Sequence, residues 1–245
     1  MFKKNQILFF IGCVLSTLLL GCSSTENNTT TQSSIENELD RSALIKKYPN
    51  LANSSVDNEK VLCPFVRILN KTGLFQQAQN DKAEELVSIA TLTDAANEFG
   101  CSTIACGAVA TAVSVGQKVA GSTDIGYVNI EKLHTAKGIA HQCGYTFAKN
   151  GTQVSDTARK RSLQMLKDKA NADGHITLED LKAVKKSICS EQNEDKTLAG
   201  SLEAELIYTF LGGESRGYIE LADVDRFFHT QLPLTLGKPS RHFKD

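Results

Sequence analysis

The stretch I-A-C-G-A-V-A-T-A-V-S-V-G-Q, Ile104 to Gln117, is apolar nearly all round and built almost wholly from small residues. A helix with no polar face belongs in an interior, where its small side chains let other backbones or a flat ligand approach closely. This reading sets the expectation for the whole chain: an all-α fold, a single domain of about eight to nine helices around this buried small-residue helix. Outward from it, helical periodicity continues on both sides and no convincing alternating strand is found. Helices are expected to start at Cys63, near Lys82, near Thr91 and at Ser102, then at Asn129, at Ser155, near Thr177, at Thr197 and near Leu221. Gly100 ends the T-L-T-D-A-A-N-E-F-G run, and Gly, Asn and Asp fill the connections, as turns require.

The chain begins with a different kind of signal. Lys3 and Lys4 precede a short apolar run from Ile7 to Leu20 that ends in L-L-G-C, Leu19 to Cys22. That run is too short to span a bilayer comfortably and has the layout of an export leader. Leu-Leu-Gly-Cys resembles the lipobox of bacterial lipoproteins. The resemblance implies a signal peptide over 1–21, cleavage before Cys22, lipid on its thiol and attachment to a membrane face by acyl chains. Ser23 after the cysteine, under the usual sorting rule, implies the outer membrane, facing the periplasm. Residues 22–58 are rich in Ser, Thr, Asn and Gln, too polar for a core, and read as a lipidated tether. A short amphipathic helix around Ser42 to Tyr48 interrupts it. The helical domain is then expected over 59–232, with a C-terminal tail at 233–245.

Charge and cysteine count narrow the partners. Removing Lys3 and Lys4 with the leader turns 27 basic against 28 acidic side chains into 25 against 28. A slightly negative chain with no basic patch argues against nucleic acid or an anionic lipid surface as the main partner. The seven cysteines become five once Cys13 leaves and Cys22 carries lipid: Cys63, Cys101, Cys106, Cys143 and Cys189. In an exported domain disulfides persist, and an odd count leaves one thiol for ligation or for pairing between chains. Cys101 with Cys106 and Cys143 with Cys189 would leave Cys63 unpaired; other pairings satisfy the count equally.

Two further patterns carry chemistry. Gly174-His-Ile-Thr-Leu-Glu-Asp-Leu181 is echoed by Gly217-Tyr-Ile-Glu-Leu-Ala-Asp-Val224, the outline of paired EF-hands, in which glycine makes the turn and isoleucine pairs the loops. With Gly174 at the sixth loop position, the first position is Lys169, and in the second copy Gly212 and Arg216 stand at the first and fifth. A lysine at the first ligand position repels a dication, so a calcium-binding role is expected only in degenerate form.

The other pattern is K-V-L-C-P-F-V-R-I-L-N-K-T-G-L-F, Lys60 to Phe75. Proline at N1 makes Cys63 the N-cap, with the free N–H groups of Phe65 and Val66 and the positive helix end turned to its sulfur. That setting favours a thiolate, the form an axial ligand to haem iron needs; a disulfide or a merely buried cap cysteine fits the same residues. C-P-x-x-x-x-L-x-x-x-G, carried by Cys63, Pro64, Leu69 and Gly73, resembles the N-terminal motif of the haem-thiolate peroxidases, the chloroperoxidase and unspecific peroxygenase family. V-N-I-E-K-L-H-T-A-K-G-I-A-H-Q, Val128 to Gln142, is similar to the family segment ending in Glu-His-Asp. L-A-D-V-D-R-F-F-H-T-Q-L-P, Leu221 to Pro233, is similar to its closing stretch.

The resemblance implies haem b with Cys63 and Pro64 at its proximal side and Cys63 on the iron. It also implies a distal glutamate as acid–base, for which Leu198 to Leu211 offers Glu203 and Glu205, and His141 orienting that acid. Ala140 and Gln142 stand where the family has Glu and Asp, and Gly144 where it has a serine, so the divalent-ion site beside the haem is expected to be lost. The expected function is oxidation of a small substrate with peroxide. The alternatives are a non-catalytic envelope lipoprotein whose helical domain binds a partner protein, and a degenerate EF-hand-like calcium binder.

Overall fold

The computed structural model describes residues 38–53, 57–78, 85–140, 143–192 and 198–237. The fold is helix-rich, with two small antiparallel sheets of two strands each among the described residues. Helix α1 (Arg41–Lys47) starts at Asp40, whose side chain accepts from the N–H groups of Ser42 and Ala43, and leads into a 3-10 turn at Pro49–Ala52. Leu44, Tyr48 and Leu51 of this segment are buried in the main core. Packed structure therefore starts by Glu38, inside the stretch expected as tether to residue 58. A few apolar side chains at helical spacing suffice to dock a segment that is polar on average.

Next come α2 (Pro64–Lys71), α3 (Leu74–Gln77), β1 (Leu86–Ser88), α4 (Ile89–Asn97) and α5 (Thr103–Val119). Strand β2 (Tyr127–Asn129) pairs with β1, Val87 opposite Val128, and runs into a 3-10 turn at Ile130–Thr135 where an α-helix from Asn129 was expected. The expected helix near Lys82 lies largely outside the described residues. Helix α6 (Asp156–Lys167), β3 (His175–Ile176), α7 (Leu178–Glu191), α8 (Leu198–Phe210), α9 (Gly213–Arg216), β4 (Ile219–Glu220) and α10 (Leu221–Phe228) complete the order. Serine and threonine caps fix several starts: Ser88, Ser102 and Ser155 each accept a backbone N–H, and Thr177 with Asp180 forms a full capping box.

The core is centred on aromatic rings from four parts of the chain rather than on α5. Phe65 of α2 meets Phe210 of α8 edge-on at 5.0 Å, Phe210 meets Phe227 of α10 at 5.3 Å, and Tyr145 stacks on Phe228 at 5.4 Å. Helix α5 packs against α4 and the following loop, with Ile104 57% and Val109 49% exposed. Its small residues serve the close approach on one face only. A Cβ on Gly116 would stand 2.9 Å from the carbonyl oxygen of Lys137. Buried Gln117 donates to the carbonyls of Asn129 and Lys132 and accepts from the N–H of Asn129, each at 2.8 Å. The central position expected for this helix is thus corrected to a flanking one.

The described part of the stretch expected as tail, to residue 237, is packed. Leu236 is buried, Gly237 bridges to Glu38, and the N–H of Leu39 donates to the carbonyl of Leu236 at 2.8 Å.

Candidate functional site around Cys63 and Glu203

Helix α2 begins as its sequence dictates: Cys63 is the N-cap, with extended backbone, and Pro64 stands at N1, buried. One turn on, Arg67 is only 1% exposed, and its guanidinium is held by Asp57 at 3.3 Å and by the carbonyl of Phe228 at 3.1 Å. Two turns on, Lys71 donates to the carbonyl of Thr230 at 3.0 Å, while the Thr230 hydroxyl donates to Asp57 at 3.0 Å. Arg159 of α6 adds a second guanidinium on Phe228, at 3.4 Å. Three cations thus converge on the carboxyl end of α10, where the helix dipole is negative: Arg67 and Lys71 fix α2 against it, and Arg159 fixes α6.

The disulfides are Cys101–Cys106, across the turn that joins α4 to α5, and Cys143–Cys189, which ties the loop before α6 to α7. Cys63 is the free cysteine among the described residues, and it is partly buried. Burial pushes its thiol pKa up. The N–H groups of Val66 and Phe65 and the charge of Arg67 pull it back, and Glu203 raises it further. The helix end therefore does not make a thiolate unaided: desolvation of the anion outweighs the pull of those N–H groups. Ligation to a cation would have to displace the proton.

Glu203 and Glu205 part company on α8. Glu203 turns inward, its side chain 15% exposed, close enough to act electrostatically on both Cys63 and Tyr145. It forms an ion pair with Lys185 of α7. Glu205, 41% exposed, pairs with Lys182 at 3.1 Å on the outside. His141 lies outside the described residues, as do Gln142 and Cys22. Lys185 is the site residue that the sequence reading passed over. Its signal was present: in L-K-A-V-K-K-S-I, Leu181 to Ile188, Lys185 falls on the apolar stripe with Leu181, Val184 and Ile188, where a lysine needs a buried partner.

The EF-hand echo has its geometry but not its ligands. Strands β3 and β4 pair with Ile176 opposite Ile219, and Gly174 and Gly217 take φ of 81° and 78°. Asp180, at the twelfth position of the first loop, serves the N–H and hydroxyl of Thr177. Its counterpart Asp223 accepts from the N–H groups of Leu234 and Thr235, at 2.6 and 3.1 Å. Arg216 folds onto the carbonyls of Leu211 and Gly212. Among the described residues no group of three or more His, Cys, Asp or Glu could hold a metal ion by itself, and no helix is long and apolar enough to cross a membrane. Compared with known proteins, the chain matches no family model and no curated protein.

Proposed function

We propose that the protein is a haem-thiolate peroxidase- or peroxygenase-like lipoprotein that oxidises a small substrate with peroxide, with Cys63 as axial ligand and Glu203 as acid–base. One observation carries the reading: the unpaired cysteine at a proline-started helix shares its electrostatic surroundings with an inward-facing glutamate from the far end of the chain. The donor chemistry is compatible with a haem b, since a single partly buried thiol near backbone N–H groups could supply one sulfur ligand to a ferric iron. Bound there, haem would supply the redox-active iron at which peroxide is activated. Cys63 would hold the group through its sulfur, and would have to give up its proton to do so. Arg67 and its clasp keep the start of α2 in place. Glu203 would hold and move the proton, taking it from one peroxide oxygen and delivering it to the other, which would leave as water or alcohol with the bond pair. Between the two candidate glutamates, burial favours Glu203; the 41% exposure of Glu205 suits a solvated ion pair.

Residues 1–37, outside the described structure, would place this domain at the outer membrane, facing the periplasm, through lipid on Cys22. The test is spectroscopic. Protein made in an oxidising compartment with haem supplied should show, after reduction and addition of carbon monoxide, a Soret band well to the red of a histidine-ligated haem, and C63A should lose it. Folded, haem-supplied protein without that band would overturn the reading. A second reading, a non-catalytic envelope lipoprotein with an interaction domain, is favoured by the exposed apolar side chains Ile104, Val109 and Val119 on α5. It would be the one left standing if haem does not bind.

A further inference from the structure

Lys185 is 4% exposed, and a buried ammonium persists only when its charge and its donors are met. Among its neighbours in the described residues are the Glu203 carboxylate, the carbonyl of Cys143 at 2.5 Å and the ring of Tyr145, 5.1 Å from its Nζ. The seat is braced one turn away on either side along α7. Before it, the carbonyl of Leu181 accepts the Tyr145 hydroxyl at 2.9 Å. After it, Cys189 is bonded to Cys143, the residue whose carbonyl takes the ammonium. Among the described residues, Lys185, Tyr145 and Cys63 stand around the carboxylate, each from a different element, while the neighbouring pair Lys182–Glu205 faces outward.

We propose that Lys185 is the positioning residue for Glu203: seated on Cys143 and braced by the Cys143–Cys189 bond, it holds one carboxylate oxygen so that the side chain stays turned to the Cys63 side of α8. The assignment rests on the haem-thiolate reading given above. A carboxylate held at Oε2 by a buried ammonium cannot swing to solvent without breaking that pair, which is what a proton-transfer group needs if its distance to the reacting oxygens is to stay fixed. The disulfide then has a second role besides closing a loop, because loosening Cys143 loosens the seat.

The experiment compares K185M, K185R, E203Q and K185M/E203Q in the full-length protein. In the haem-loaded state, E203Q should lose about a hundredfold or more in kcat/KM for peroxide, the scale of general acid–base catalysis. K185M should lose about tenfold or more with its Soret band unmoved, and K185R should recover part of the loss. In the haem-free state, thermal unfolding of the four proteins should be non-additive, with E203Q restoring much of the melting temperature that K185M removes. Wild-type protein lacking the red-shifted band overturns the haem-thiolate reading, and this assignment with it. A wild type that has the band while K185M keeps full kcat/KM, or haem-free effects that simply add, overturns this assignment and leaves the reading intact. If K185M does not fold, K185Q, which keeps the donors and loses the charge, makes the same comparison.

Discussion

At the residue scale the strongest consequence concerns the Cys63 proton. Its pKa in the folded chain is raised, chiefly by burial. An acid with a raised folded pKa contributes stability that is fully present below its unfolded pKa and lost as pH rises through the folded one. The haem-free protein should therefore lose melting temperature as pH rises past the ordinary thiol range. C63A should flatten the first part of that fall and leave the later part, to which Tyr145, also raised by burial, contributes. Melting curves over a pH series read both. The two glutamates give a second contrast. Removing the Glu203 charge takes the carboxylate partner from a buried ammonium, at a cost of about 3–5 kcal/mol, whereas E205Q touches an exposed pair worth about 0–1 kcal/mol. Denaturant unfolding of the two variants checks the difference. Lys185 shows why such pairs are hard to read from sequence: the period places it on the buried stripe, but only the fold says that Glu203 arrives opposite.

At the element scale, starts and stops were legible where chemistry is local. Ser102, Ser155 and Thr177 cap the helices that follow them, and the left-handed Gly100 ends a turn just beyond α4. Strands were not legible, because β1 and β2 have three residues each and β3 and β4 two, too few for an alternating period to show. The placement of α5 failed for another reason. A helix apolar all round gives no phase, so nothing in its own residues says which side the rest of the chain will cover. The structure supplies that phase through Gly116 and Gln117. G116A should be destabilising by about 1–3 kcal/mol, since the backbone at Lys137 must retreat. Q117M takes the Gln117 partner from the N–H of Asn129, while the carbonyl of Lys132 keeps the Thr135 hydroxyl, and should cost about 1–3 kcal/mol. A substitution at exposed Val109 to serine should change stability little. The same unfolding measurements rank all three.

At the scale of the whole molecule, the covalent links differ in reach. Cys143–Cys189 spans a sequence separation of 46 and Cys101–Cys106 one of 5. Chain entropy alone makes the first worth about 4 kcal/mol and the second about 2. Paired serine variants, C143S/C189S and C101S/C106S, should rank in that order in denaturant unfolding. With Cys22 changed to alanine and the leader removed, a thiol titration of the unfolded, unreduced protein should count one free thiol, and none after C63A. The anchor is tested separately: a labelled fatty acid should be incorporated by the intact protein and not by C22A.

The meeting of Glu38 and Gly237 has a consequence for the chain as a polymer. The first and last described residues thus lie side by side, so the described path is close to a ring cut at one point. A ring can be reopened elsewhere. Joining residue 237 to residue 38 through a few glycines and starting the protein instead at the exposed turn around Asn150, where the backbone is already left-handed, should return the same packing from a permuted gene. Such a permutant would separate the domain from everything that precedes Glu38 while keeping Cys63, Lys185 and Glu203 in their relative places.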